Sequence, residues 1–372
     1  MALRHRDIIA KVADRENLHT KPTKAQLTKP LLTRRPALDE LSNKLNAAQP
    51  ATTKHDPVKD SKAVKVTKPP KKADPVPKSY SVHQLETIID PDADSKNEPQ
   101  MVTEYLADIY NYLLELEEKY PIRKNFLEDH KSTPRMRAIL VNWLVQVSSN
   151  FTLCLETLHM CVSIVDRYLQ DNPQVDGKTL QLVGTAALLV ACKYEEMYLP
   201  ELKDFVYICD NTFCKREILK MEMSILISLK HELGKPLSIH FLRRYSKVAQ
   251  VELQHHNLAK YLLELALINH TMSSIKPSLQ AAAACCLSMA ILNNLSCPSK
   301  AWTATLVHYT AYKYSDFKNV VQKLASILLT AETSKHQYVQ SKYAESKYSK
   351  ISTNPKLKGH LVRKLAEPSP KA

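Results

Sequence analysis

Glycine is nearly missing from this chain: four residues in 372, at Gly177, Gly184, Gly234 and Gly359. Tight hairpins, phosphate-cradling loops and Rossmann turns all need glycine where the backbone is strained, so an all-helical body is favoured over folds built on them. No run of about 18 uncharged apolar residues occurs, so no membrane span is expected, and the opening Met1-Ala-Leu-Arg-His-Arg-Asp7 has no apolar signal core. The eight cysteines include no Cys-x-x-Cys pair and mostly lie in apolar helical stretches, as buried thiols of a reducing compartment do; a cytoplasmic and nuclear location is expected. Walker, Gly-x-Ser-x-Gly, His-Glu-x-x-His and kinase catalytic-loop signatures are all missing, so neither an enzyme nor a cofactor is expected. The neighbours His255 and His256 point to different helix faces, and no further ligand stands at metal-binding spacing, so no metal is expected either.

Residues 1–100 hold no Trp or Phe and about half of the 21 prolines, with a Lys/Pro tract from Lys65 to Lys78. Such a segment buries too little apolar surface to offset its chain entropy and reads as a disordered tail. The tract is a solvated linker or an aid to nuclear import. From residue 101 the composition changes. Leu106, Ile109, Leu113 and Leu116 recur at helical spacing and predict one amphipathic helix ahead of the main body. Five helical segments follow, near 134–150, 155–171, 178–194, 200–210 and 213–230. After Gly234-Lys-Pro236 five more follow, near 237–250, 252–271, 277–294, 301–311 and 315–333. The third of each set, around Leu180–Val190 and Ala281–Ile291, is apolar nearly all round, which makes it the hub of its bundle. The division is therefore a tail over 1–100, a helix and first unit over 101–232, a second unit over 233–336, and a C-terminal helix and basic tail over 337–372 that is expected to fray beyond Tyr343. The net charge of +14 is spread along the chain and reads mainly as solvated surface.

Two apolar stripes share the first segment of the first unit: Met136, Ile139, Leu140 and Trp143, and then Ala138, Val141, Leu144, Val145 and Val147. Both cannot face one core, so one is a candidate partner surface.

Met136-Arg-Ala-Ile-Leu140 resembles the opening helix of the cyclin box. Further matches are Ile164-Val-Asp-Arg-Tyr-Leu169, the run from Gly184 to Glu201, Phe205-Val-Tyr-Ile-Cys-Asp210 and Met221-Glu222. The run from Leu233 to Lys247, with His256-Asn-Leu-Ala-Lys-Tyr261, is similar to the B-type, mitotic branch. The resemblance covers about 230 residues and implies two tandem five-helix cyclin boxes forming the activating subunit of a mitotic cyclin-dependent kinase, as a heterodimer that controls the G2/M transition. It implies that Lys193 and Glu222 grip the regulatory helix of the kinase, with Ile109, Tyr112, Tyr194, Leu226 and Leu233 around them, although core is an equal alternative for the apolar members.

The same resemblance implies a structural ion pair between Arg137 and Asp166, and a groove at Met136, Ile139, Leu140, Trp143 and Gln181 for Arg-x-Leu peptides of substrates. Gln146 stands where A-type cyclins carry an acid, so charge-assisted docking is weakened and preference shifts toward apolar anchors. His231 replaces an aromatic usual before the second box, which puts that kinase contact in doubt. Arg243, His256 and Lys260 are either a pocket for a phosphorylated partner residue or a solvated basic face. In the tail, Arg35-Pro-Ala-Leu-Asp-Glu-Leu-Ser-Asn43 resembles a destruction box, with Arg35, Leu38 and Asn43 as its marks, and Lys44, Lys54, Lys59 and Lys62 follow as ubiquitin acceptors. That motif implies a ubiquitin ligase of the anaphase-promoting type as partner. The alternative reading is a cyclin-fold transcription factor that grips DNA phosphates, which would need neither the destruction box nor the Lys193/Glu222 constellation.

Overall fold

The computed structural model describes residues 88–96 and 98–367, so the motif at 35–43 and the tail lysines lie outside the described residues. Among the described residues every regular element is helical. A leading helix α1 (Leu106–Lys119) precedes two bundles. The first comprises α2 (Pro134–Asn150), α3 (Leu155–Asp171), α4 (Gly177–Glu195), α5 (Leu202–Ile208) and α6 (Lys215–Ser228). The second comprises α7 (Ser238–Val248), α8 (Leu253–Ile268), α9 (Pro277–Leu292), α10 (Ala304–Thr310) and α11 (Tyr314–Thr330). Two short helices, α12 (Tyr338–Tyr343) and α13 (His360–Ala366), end the described chain.

The expected hubs are hubs. Residues 182–192 of α4 and 281–291 of α9 are buried without a break, each with its neighbours packed around it. Gly184 sets how closely α2 and α4 approach, because a Cβ there would stand 2.6 Å from Leu140 Cδ1. The helix starts are capped as their sequences require. Thr133 accepts from the Met136 amide ahead of α2, and Asp176 and Thr179 form a capping box at α4. With no glycine at positive φ among the described residues, left-handed turns fall to Asp210/Asn211, Lys230/His231 and Ser349/Lys350. His231 thus sits in the turn that ends α6, its amide donating to the Leu226 carbonyl at 2.9 Å, with its side chain exposed.

Three expectations need correction. Packing starts earlier than residue 101: Asp92 is buried and pairs with Arg244 and Lys247 of α7. The stripe on α1 runs through Leu106, Tyr110, Leu113, Leu114 and Glu117, leaving Ile109 exposed. An acid takes an apolar position there because the Glu117 carboxylate accepts from the amide and hydroxyl of Ser278, at 3.0 and 2.6 Å, and so caps the start of α9. Burial pushes the Glu117 carboxyl up, against the pull of those Ser278 bonds.

The chain beyond Tyr343 does not fray. Ile351, Leu357 and Val362 are buried, and α13 packs on α11. What holds this stretch is charge that hydropathy misses. Glu264 of α8, fully buried, accepts from Lys342 Nζ at 2.8 and 2.9 Å and from Tyr343 Oη at 2.6 Å.

The two bundles are joined by Arg137. Its guanidinium makes a bidentate pair with Asp166 at 2.6 and 2.7 Å, and its Nη1 donates to the Leu267 and Ile268 carbonyls at 2.9 and 3.3 Å. Those carbonyls end α8 of the second bundle, so a first-bundle cation caps a second-bundle helix at its negative end. The pair ties α2 to α3, as implied, and also ties the first bundle to the second.

Asp166→Ala leaves a buried guanidinium unpaired and is expected to cost about 3–5 kcal/mol in urea denaturation. An Arg137→Met/Asp166→Ala double variant recovers part of that loss, and a cost under about 1 kcal/mol for the single variant contradicts this account. The buried His159 adds an acid dependence. Burial, then Lys342, His240 and Arg243, hold its imidazole down to about 3, so the unfolded chain takes up this proton first once the pH drops below 6.5. Stability present above pH 6.5 is therefore lost as pH falls toward 3, by up to about 1.4 kcal/mol per pH unit. The thermal midpoint is expected to fall more steeply below pH 6.5 in the natural chain than in His159→Gln.

Candidate functional site

No group of three or more His, Cys, Asp or Glu side chains able to hold a metal occurs among the described residues, and no described helix is long and apolar enough to cross a membrane. What the chain offers is surface, in three places.

The first lies where α4 ends beside α6. Lys193 Nζ meets Glu222 Oε1 at 2.5 Å, with the lysine side chain 47% exposed and the glutamate 10%. The lysine side chain is therefore about half exposed while the glutamate it pairs with is largely buried. Tyr194 is exposed, and its hydroxyl lies 3.9 Å from where a Cβ of Gly234 would stand, which places it against the link between bundles. Leu226 and Leu233 are half-buried and pack on the core, so both mix the two roles expected of them. Ile109 and Tyr112 are exposed on α1. The end of α1 is tied to the same link. Lys119 pairs with Glu232 at 2.9 Å, and Arg167 lies over the Tyr120 ring while donating to the Glu232 carbonyl at 2.7 Å. Glu232 accordingly holds its carboxyl below the usual range and Lys119 holds its amine above it, each through the other.

Sequence reasoning missed most of the apolar exposure around this pair. Met197 and Tyr198 are 89% and 87% exposed in the turn after α4, and Leu219, Met223 and Ile227 line the outer side of α6. The signal was present. Ile218, Ile225 and Leu229 fill the core, so 219, 223 and 227, spaced by four, form a second stripe that the same core cannot hold.

The second surface is the outer face of α2. Val141, Leu144, Val145 and Val147 are the buried stripe, while Met136 and Ile139 are 39% and 53% exposed. Trp143, Gln146 and Gln181 are half-buried. Leu140 departs from its expected role: it is buried, wedged against Gly184, and forms the floor beneath the exposed residues.

The third is the face of α7 and α8. Arg243 pairs with Glu156 of α3, and His256 Nδ1 lies 2.8 Å from Ser246 Oγ. Burial, then Lys260 and Arg243, push the His256 imidazole down to about 4. The three residues are thus close enough to feel one another, but His256 is neutral at physiological pH and Glu156 offsets Arg243. Lys260 lies over the Tyr348 ring, 5.7 Å from its centroid.

Comparison with known proteins places this geometry. Residues 108–234 match the family model "Cyclin, N-terminal domain" and residues 236–357 match "Cyclin, C-terminal domain". The chain is similar to G2/mitotic-specific cyclin-B of Spisula solidissima, 50% identical over 294 residues that cover 79% of this chain and 67% of that protein. It is 43% identical over 360 residues to G2/mitotic-specific cyclin-B2 of Oryzias curvinotus, covering 90% of this chain and 91% of the relative. With G2/mitotic-specific cyclin-B1 of Xenopus laevis it shares 46% identity over 283 residues, 76% of this chain and 70% of the relative. Among solved structures, a viral cyclin from herpesvirus saimiri superposes with a TM-score of 0.51 at 25% identity, over 57% of this chain and 93% of that one.

The division of α2 into floor and surface is open to test. Leu140→Ala is expected to cost about 2–5 kcal/mol in denaturant titration through the cavity it leaves over Gly184. Ile139→Ser changes stability by no more than about 0.5 kcal/mol; equal costs at the two positions contradict the assignment.

Proposed function

The chain belongs to the cyclin family, in its G2/mitotic B-type branch, and from that premise we propose that it is the non-catalytic activating subunit of a cyclin-dependent protein kinase and acts at the G2/M transition. The observation that carries this reading is the exposed lysine of the Lys193–Glu222 pair, set among apolar side chains that the core leaves uncovered: Tyr194, Met197, Tyr198, Met223 and Ile227. A solvent-exposed patch of that composition fits a partner with an apolar helix and polar groups at its end.

Kinase activity needs an ion pair between a strand lysine of the small lobe and a glutamate of its mobile helix. A subunit that binds only the inward position of that helix shifts the kinase toward its active population. To move it from 1:99 to 99:1 takes about 5.5 kcal/mol of differential binding. The chain supplies contacts, and the kinase supplies the chemistry.

Substrate recognition belongs, in the same reading, to the α2 face. Met136, Ile139, Trp143, Gln146 and Gln181 receive the apolar anchors of Arg-x-Leu-like segments, with Gln146 offering a hydrogen bond but no charge to the arginine. Arg243, His256 and Lys260 receive a phosphorylated residue of a partner, as two cations and one neutral donor rather than three cations. The motif at 35–43 marks the chain for ubiquitin-dependent destruction at mitotic exit by a ligase of the anaphase-promoting type, and the chain works in cytoplasm and nucleus.

Mixing the full chain with an inactive cyclin-dependent kinase that carries its activating phosphate is expected to give saturable histone phosphorylation. Lys193→Ala/Glu222→Ala removes both charges together, leaving no unpaired buried carboxylate, and is expected to lower activation at least tenfold with helicity unchanged by circular dichroism, about 1.4 kcal/mol of lost binding. No activation by a folded chain across the kinases of this class would falsify the reading.

A further inference from the structure

Lys260 belongs to more than the group it forms with Arg243 and His256, because it also lines a cavity of about 280 Å³ that none of the surfaces above uses. The start of α3 contributes Leu155 to that lining, α8 contributes Lys260 and Glu264, and the chain from α12 onward contributes Lys342, Lys347 and Tyr348. Three ammonium groups converge on one ring there. The Nζ atoms of Lys260, Lys342 and Lys347 lie 5.7, 5.8 and 5.0 Å from the centroid of Tyr348. A ring face attracts a cation only weakly at a partly exposed site, and like charges gathered around it repel one another, so the ring alone does not account for three of them.

Two acids answer part of this charge. Glu264, fully buried, holds Lys342 and accepts from Tyr343 Oη as well, so its oxygens are committed. Glu345 meets Lys347 at 3.1 Å with both side chains more than half exposed, a pair that solvent weakens. Lys260 has no such partner: it forms no ion pair or hydrogen bond among the described residues. Three lysines against two glutamates leave one positive charge in excess.

The two lysines that Glu264 does not hold are the ones open to solvent. Lys347 is 60% exposed along its side chain and Lys260 is half-buried, whereas the Lys342 side chain is only 11% exposed. Lys260 also stands between two groups of cations. Burial holds its amine below the usual value, Glu264 draws it the other way, and Lys342 and Arg243 add to the depression. An anion entering the cavity relieves that crowding, and an ammonium near an aromatic face at the mouth of an apolar-floored pocket is a strong donor to it.

We propose that this cavity is a second anion subsite, held by Lys260 and Lys347, and that it takes a carboxylate or phosphate from the same partner segment whose phosphorylated residue meets Arg243 and His256. The inference rests on the reading of Arg243, His256 and Lys260 as a phosphate-binding group. It adds a spacing to that reading. His256 and Lys260 are one helical turn apart, about 5.4 Å, and the Tyr348 ring lies a further 5.7 Å from Lys260 Nζ. An extended segment advances about 3.3 Å per residue, so its two anionic groups stand about three or four residues apart. The partner is a peptide segment that is acidic at two places, and not one that carries a lone phosphate.

The test uses the full chain and fluorescein-labelled synthetic peptides, with binding read by fluorescence anisotropy at fixed ionic strength. The reference peptide carries one phosphoserine. Others add a glutamate or a second phosphoserine about three or four residues to either side, or about ten residues away as the control for bulk charge. The near acid is expected to tighten binding roughly three- to fivefold beyond the distant one, the scale of an exposed ion pair. That gain disappears in Lys347→Gln and reverses in Lys347→Glu, both at an exposed position, whereas Arg243→Gln weakens every phosphopeptide and leaves the gain in place. A gain from glutamate assigns an acidic side chain, a gain from the second phosphoserine alone assigns a phosphate, and either upholds the subsite. If Arg243→Gln changes nothing while Lys347→Gln removes the gain, the subsite stands and the reading of Arg243 falls. No gain over the distant acid, or a gain that survives in Lys347→Gln, overturns the subsite; binding by none of the peptides overturns both.

Discussion

The Arg137 guanidinium is the constraint on which the rest of this structure depends. It lies almost wholly out of solvent, and a buried charge persists only when every donor is used. Asp166 takes one edge and the last carbonyls of α8 take another. The first bundle therefore cannot close without α3, and its closed form presents a cation to the second bundle at the negative end of a helix. The spacing of the two bundles follows from that contact, and with it the position of the link that carries Glu232, Leu233, Gly234 and Lys235.

From that fixed link the surfaces follow. Glu232 draws in the end of α1 through Lys119, and its carbonyl anchors Arg167, so the end of the leading helix is fixed to the link. Glu117, two residues before the end of α1, reaches the other way and caps α9. The leading helix is thus clamped to both bundles by polar contacts, and Ile109 and Tyr112 on its outer side are left exposed. Binding surfaces here are what remains of apolar faces once the core is full. On α2 and on α6 one stripe is buried and its neighbour is left in water, and rigid helices hold both.

Much of this was legible. Helix order and approximate bounds came from the period of apolar residues, and the all-apolar third helix of each set announced its hub. The double stripe on α2 announced a surface, though the assignment of sides did not follow from periodicity. Leu140 falls in the exposed stripe by spacing, yet Gly184 opposite it makes room for α2 to press close and bury it. The same reasoning, applied to α6, would have found Leu219, Met223 and Ile227. Glycine scarcity argued against strands, and none occurs among the described residues, while left-handed turns are filled by residues such as Asn, Asp, Lys, His and Ser.

By itself the sequence determined the helical class, the two tandem units, the family resemblance and the residue types at each surface, because these rest on local periodicity and on motifs read along the chain. Only the tertiary structure decided that Asp92 joins the body, that the stretch after Tyr343 packs instead of fraying, and that Arg137 of the first bundle caps the end of α8 in the second. Each of these depends on a polar group meeting a partner more than 30 residues away in the chain: Arg244 for Asp92, Glu264 for Lys342, the Leu267 and Ile268 carbonyls for Arg137. Hydropathy scores such groups as surface, since a charge alone belongs in water, and only a partner met in space makes their burial tolerable.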